Sequence, residues 1–376
     1  MRSNYTLFSV WGIPIRVNIS LLVFLPVLVW LVGSGEQLAA YESVIETVTL
    51  AEVDAASLTD GERWLIGVGA AVGLFASVTV HELGHAWVAM RYGIGVESIT
   101  LWILGGLASL AEMPRQWNRE FWIAVAGPAA SLLVAAVCVG AVTVLPTNLT
   151  IPVFVVGFLA VTNAVLAVFN MIPAFPMDGG RVLRALLGRT RSYASATQTA
   201  AGVGRLFAIL FAVVGVVVVF SPVLILLALF VYVAATGESR SVVVAELLRG
   251  LTVADIMVDT DPVDAGVSAG AVFDRMLGSR RQNLAVSRDG RVVGAVTGDQ
   301  LQDVPAGEQS TATAGGLATT DLPRVDEVTP AFDALSELQR SGSDTAIVER
   351  DGAPVGVVSR ADFAAVLDLR RETASF

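Results

Sequence analysis

Six long apolar runs fill the first two thirds of this 376-residue chain, and they constrain its fold more than any other feature. A helix needs about 20 mostly apolar residues to cross a bilayer. The runs occupy residues 19–32, 64–90, 121–145, 151–175, 206–220 and 223–235. The first and the last two are short and must borrow flanking residues to span. The fifth and sixth are separated only by Ser221-Pro222, a turn signal that makes them a tight hairpin. Apolar residues make up 54% of the chain and charged residues 15%, against about 25% charged in an ordinary soluble protein. A membrane domain over 1–240 is expected, then a linker over 241–250 and a soluble α/β domain beyond it.

Charge patterning orients the spans. With an even number, both termini share one side. If that side is the cytoplasm, twelve arginines from Arg2 to Arg249 lie on the inside. Only Arg63 lies outside, amid Glu36, Glu42, Glu46, Glu52, Asp54, Asp60 and Glu62. Residues 1–18 lack the cleavage site of a secretory leader. Every basic residue is arginine, and residues 251–376 carry 20 Asp+Glu against 11 Arg, a net of −9 out of −10 for the whole chain. A carboxylate-rich surface without lysine suits a high-salt cytoplasm, as in a halophilic archaeon; GC-rich codon usage explains part of the lysine deficit. No basic patch exceeds what topology accounts for, so nucleic acid is not an expected partner. The lone cysteine, Cys138, excludes a disulfide framework.

The second run ends in His81-Glu82-Leu83-Gly84-His85, the pattern H-E-x-x-H. On a helix, positions four apart share a face, so both imidazoles reach one metal, and Glu82 stands where it can hold a water beside that metal. These are the only two histidines in the chain, and ionisable groups inside a span are costly and usually functional. A catalytic zinc takes three protein ligands and keeps a fourth position open. With no third histidine, the remaining ligand is expected to be a carboxylate. Asp178 is the best candidate, because the second and fourth runs both head inward and bring His81, His85 and Asp178 to one depth. A helix N-cap is the alternative role for Asp178. Pro173 and Pro176 just before it point to irregular backbone, which membranes tolerate only where it is buried or lines a wet cavity.

Together, H-E-L-G-H at His81–His85 and N-x-x-P-x-x-x-x-D-G from Asn170 to Gly179 resemble the site-2 protease family of intramembrane zinc metalloproteases, most closely its archaeal six-span type. The resemblance covers essentially the whole membrane domain and extends to Gly12-Ile13-Pro14-Ile15, Leu104-Gly105-Gly106 and Ala126-Gly127-Pro128. It implies that His81, His85 and Asp178 bind one zinc per chain, that Glu82 is the general base, and that Asn170 is a polar group near the reacting carbonyl or the substrate strand. It implies an endopeptidase cutting peptide bonds in or near the transmembrane helices of membrane-anchored substrates. Asn18 stands where many relatives have histidine, and Ser131 where many have asparagine; neither departure is expected to touch the ligands.

The tail contains an internal repeat. Leu284-Ala285-Val286, Arg288-Asp289-Gly290 and Val292 to Val296 recur at one offset of 62 residues as Ala346-Ile347-Val348, Arg350-Asp351-Gly352 and Pro354 to Val358. Each unit, over 251–303 and 314–370, reads as helix, strand, Asp-Gly hairpin, strand, helix. The pair resembles tandem CBS domains, opening at Thr252-Val253-Ala254-Asp255-Ile256-Met257. In such modules a Ser/Thr with Asp three residues later holds an adenine nucleotide. Ser359 and Asp362 keep that spacing; Thr297 is followed by Gln300 instead. Two readings stand: a nucleotide-binding regulator, or a structural pair that mediates homodimer contacts. The expected fold class is therefore a polytopic α-helical membrane protein of six transmembrane helices with a C-terminal α/β tandem CBS domain. The rival from another class, a CBS-gated transporter, should show repeat symmetry between membrane halves, and residues 1–240 show none. A protease fold kept only as a scaffold would most readily have lost Glu82.

Overall fold

The computed structural model describes residues 4–34, 38–49, 58–103, 105–112, 114–146, 148–257, 261–279, 281–305 and 307–373. Arg2, Glu36, Glu52, Asp54 and Leu104 lie outside these residues. Contacts divide the chain into Met1–Ser239 and Arg240–Phe376.

The first unit begins with strands that the apolar runs do not announce. β1 (Asn4–Val10) and β2 (Ile13–Asn18) form an antiparallel hairpin. It turns at Trp11 and Gly12, both at positive φ, the two-residue turn whose twist matches that of the strands. Helix α1 (Ile19–Gly33) follows at once, capped by the Asn18 side chain, which accepts the Ser20 N–H. It has 15 residues, about 22 Å at 1.5 Å per residue, which is short of a hydrocarbon core of about 30 Å. The short α2 (Leu38–Thr49) comes next. Then α3 (Asp60–Arg91) runs for 32 residues from a capping box of Thr59 and Glu62. Two further strands, β3 (Val96–Trp102) and β4 (Gly105–Leu110), complete a sheet of order β1-β2-β3-β4, with β2 and β3 parallel. Its buried face, Ile13, Ile15, Val17, Ile99 and Leu101, packs on Val78, Leu83 and Ala86 of α3. The sheet therefore braces the helical turn that carries the two histidines.

The bundle continues with α4 (Trp117–Val144), α5 (Thr150–Asn170), the ten-residue α6 (Asp178–Leu187), α7 (Tyr193–Val213) and α8 (Pro222–Leu247). A π-helical turn at Val214–Val218 prolongs α7. Among the described residues, five helices are long and apolar enough to cross a membrane: α3, α4, α5, α7 with its π turn, and α8. The sixth apolar run is the shorter α1. Small residues let α3 and α4 approach closely: a Cβ on Gly84 would lie 2.7 Å from the Ala126 carbonyl oxygen and 3.0 Å from the Ala130 Cβ. The fourth run was expected to be helical to residue 175. Instead α5 stops at Asn170, because Pro173 and Pro176 bring no N–H to a helical ladder.

In the second unit the 62-residue offset holds for whole elements. After α9 (Val253–Ile256), β5 (Val263–Asp264), α10 (Ala269–Ser279), β6 (Asn283–Arg288), β7 (Arg291–Thr297) and α11 (Gly298–Gln302) make one repeat. After α12 (Ala314–Leu317), β8 (Arg324–Asp326), α13 (Ala331–Ser341), β9 (Thr345–Arg350), β10 (Ala353–Ser359) and α14 (Arg360–Thr373) make the other. Both hairpins turn at Asp-Gly with positive φ: 52° and 76° at Asp289-Gly290, 51° and 76° at Asp351-Gly352. The opening helices are exchanged. Val253 and Ile256 of α9 join the core of the second repeat, with Val325, Leu338 and Val348. Ala314 of α12 joins that of the first, with Val263, Val286 and Val296.

Candidate metal centre

His81 and His85 face the same way from α3, four residues apart, and both are buried. Asp178 comes from a distant part of the chain. After α5 ends, residues 171–177 turn irregularly and α6 begins on Asp178 itself. The glycines after it make this possible. A Cβ on Gly179 would collide with the Met171 and Ile172 carbonyl oxygens, and one on Gly180 would lie 2.7 Å from Ala174. The N-cap position belongs to Met177, which makes no side-chain cap. The Asp178 carboxylate is turned to the imidazoles instead.

The three donor atoms form a nearly equilateral triangle. His81 Nε2 and His85 Nε2 are each 3.2 Å from Asp178 Oδ2, and 3.2 Å from each other. Tetrahedral coordination with bonds of about 2.0–2.1 Å separates ligand atoms by about 3.3 Å, so the spacing fits a small divalent cation. The outer nitrogens agree. His85 Nδ1 donates to the Ile123 carbonyl at 2.7 Å, and a carbonyl only accepts. In the neutral ring, Nε2 then keeps its lone pair and turns it inward. His81 Nδ1 lies 2.9 Å from Ser131 Oγ, a hydroxyl with the lone pairs to accept an Nδ1 proton as well as a proton of its own to donate. Two imidazole lone pairs and a carboxylate oxygen facing one point are satisfied by a cation. Cys138 is half-buried elsewhere on α4 and is not in this group.

The neighbours make room for chemistry. A Cβ on Gly127 of α4 would run into both Nε2 atoms, so glycine there keeps the space beside the imidazoles open. A Cβ on Gly106 of β4 would overlap the Glu82 side chain; glycine in the strand lets Glu82, half-buried, lie against the sheet beside the ligands. Asn170 is not brought to the three ligands by any hydrogen bond: its amide nitrogen donates to the Leu166 carbonyl of its own helix at 3.0 Å. The expectation that Ser131 does not touch the ligands is corrected, because Ser131 is bonded to His81; Asn18 caps α1. Ile123, Gly127 and Ser131 are spaced by four, as His81 and His85 are, and that is the signal that places them on one helical face.

In the second unit, Ser359 and Asp362 are bonded to each other. Asp362 Oδ2 accepts from the Ser359 N–H at 2.8 Å and from its hydroxyl at 2.7 Å. This is a capping box opening α14. Thr297 with Gln300, and Thr252 with Asp255, form the same device.

Ligand chemistry of this kind among apolar helices belongs to membrane metallopeptidases. Residues 69–150 and 147–214 match peptidase family M50, and residues 314–368 match the CBS domain. The chain is 31% identical over 389 residues to the protein of Mycobacterium tuberculosis named zinc metalloprotease Rip3, across 99% of this chain and 94% of that one. It is 31% identical over 298 residues to zinc metalloprotease MJ0392 of Methanocaldococcus jannaschii, across 79% of this chain and 78% of that one. A solved structure, the site-2 protease from Methanocaldococcus jannaschii, aligns at 30% identity and a TM-score of 0.44 over 69% of this chain and 99% of that one. The chain belongs to peptidase family M50, the site-2 protease family of membrane zinc metallopeptidases, and carries a C-terminal CBS domain.

Proposed function

We propose that His81, His85 and Asp178 hold one zinc ion, and that Glu82 is the general base for hydrolysis of a peptide bond in or near a transmembrane helix of a membrane-anchored substrate. The observation that carries this is the 3.2 Å triangle of donor atoms with Glu82 beside it. Zinc, when bound, supplies a Lewis acid that polarises a carbonyl and acidifies water. Glu82 takes the proton of the attacking water and hands it to the leaving amine as the C–N bond breaks. Gly127 and Gly106 keep space for the scissile peptide and for the base. Asn170, the last residue of α5, is proposed to bond the substrate backbone through its amide, giving up its bond to the Leu166 carbonyl. The test is zinc content measured beside cleavage of a spanning-helix substrate, for the wild type and Glu82→Gln.

The arginine asymmetry supports six crossings, α1 included with flanking residues, and both termini in the cytoplasm. The carboxylate surplus of residues 251–376 supports a high-salt cytoplasm. Mutual repulsion of those carboxylates is screened by salt, so the melting temperature of the full chain should climb steadily as KCl is raised to molar levels. A flat or falling profile would remove that reading.

For the CBS pair we propose an adenine nucleotide, held by Ser359 and Asp362 at the start of α14, where a helix N-terminus favours phosphate. On binding, the Asp362 carboxylate would leave the Ser359 hydroxyl for the ribose of the nucleotide, freeing that hydroxyl for the phosphate. Equilibrium dialysis of the full chain against ATP should give saturable binding, weakened in Asp362→Ala. Without saturable uptake by the wild type, a structural, dimer-forming role is left for the pair.

A further inference from the structure

Among the described residues, α4 meets His81 through the side chain of Ser131, at a position where many relatives have asparagine. We infer that Ser131 is a positioning residue of the zinc site, fixing His81 in the tautomer that turns its Nε2 toward the metal. The inference rests on the zinc reading above and concerns a residue outside the ligand set.

The argument begins with helical spacing. Residues 123, 127 and 131 lie one turn apart along a single face of α4, and His81 and His85 lie one turn apart on α3. The two faces meet rung by rung. The Ile123 carbonyl accepts from His85 Nδ1; Gly127 leaves the centre open; Ser131 Oγ meets His81 Nδ1. The His85 contact is made by backbone, so every side chain at position 123 preserves it. The His81 contact depends on a hydroxyl.

Ser131 has no exposed surface, so solvent cannot stand in for it. An imidazole carries one proton when neutral, and it settles on whichever nitrogen has an acceptor. Without the Ser131 oxygen, Nδ1 of His81 loses its hydrogen-bond partner, and the proton is better placed on Nε2, where Asp178 Oδ2 accepts it at 3.2 Å. That is the nitrogen the metal needs. Ligation would then require His81 to change tautomer and leave a buried N–H without a partner. Loss of such an outer partner typically weakens metal binding about 10–100-fold.

The experiment compares the wild type and Ser131→Ala as full chains in detergent. Zinc affinity is measured by competition with a chromophoric chelator, and the cobalt(II)-substituted proteins are examined by proton NMR. The wild type should show two strongly shifted, exchangeable N–H resonances, one from each ligand imidazole. In Ser131→Ala, zinc affinity should fall about 10–100-fold. One resonance, that of His81, should shift with the loss of its partner while the His85 resonance, held by Ile123, stays in place. Affinity within twofold of the wild type with both resonances intact overturns the inference. So does a fall in affinity in which both resonances move together or the metal-free protein melts earlier, because Ser131 would then act through packing. If the wild type takes up neither zinc nor cobalt, it is the zinc reading itself that fails.

Discussion

Glu82→Gln should hold as much zinc as the wild type and cleave a spanning-helix substrate about 10²–10⁴-fold more slowly, the usual range for losing a general base. The substitution keeps the shape that fits against Gly106 and leaves His81, His85 and Asp178 untouched. What it removes is the capacity to take a proton, since an amide does not do so near neutral pH. Metal content and rate should therefore separate. A variant that loses zinc together with activity would make Glu82 part of the metal's support rather than the base. A variant that keeps both would move the base elsewhere. The same comparison guards against a substrate that is simply refused: substrate binding to the variant should be unaltered, because only the proton transfer is lost.

The histidine pair was legible in the sequence for a physical reason. Charged or polar groups are so costly in a spanning helix that H-E-x-x-H at the end of one stands out. Asp178 was legible through the expected topology, in which two spans running the same way deliver their ends to one depth. The segment that delivers it was less so. Met171 to Phe175 is apolar, and hydropathy alone does not distinguish an apolar helix from apolar irregular backbone; the two prolines were the warning, yet the span was extended to residue 175. The sheet was missed although Ile13, Ile15 and Val17 alternate with Pro14, Arg16 and Asn18, a period-two pattern. Strands of six or seven residues are overshadowed when long apolar helices flank them. Ser131 was seen as a departure, but its contact with His81, fifty residues away in the chain, exists only once α3 and α4 pack. In the second unit the 62-residue offset revealed the paired architecture, while the exchange of α9 and α12 between repeats left no mark, since both openings are short and apolar.

Arg184→Met should destabilise the membrane unit by about 3–5 kcal/mol, the range for removing one partner of a buried ion pair. Arg184 is only 1% exposed and sits at the centre of four elements. Its guanidinium bonds Glu120 of α4 and Glu238 of α8, each at 2.6 Å. Its flat faces lie over Phe175 and Tyr193, 5.0 and 4.8 Å from the ring centres. Burial alone would lower its pKa, but Glu120 foremost, with Glu238, outweighs burial and raises it, so the guanidinium stays charged. Methionine would fill much of the volume yet leave Glu120, itself 4% exposed, without its cation. Glu238 is half-buried and recovers water more readily. The double variant Arg184→Met with Glu120→Met should therefore regain most of the loss, because well-packed apolar side chains replace a buried pair at little net cost. Unfolding of the three proteins in one detergent measures both steps; a single variant as stable as the wild type, or a double variant worse than the single, would contradict the account. The pair also bears on the metal. Arg184 lies on the helix that begins with Asp178, and Glu120 lies one turn from Ile123, whose carbonyl holds His85. One guanidinium thus ties the segment bearing Asp178 to the segment that orients His85, and the stable double variant should show what that tie contributes: with folding restored, any remaining loss of zinc affinity is the share of the Arg184–Glu120 pair in holding Asp178 against the two histidines.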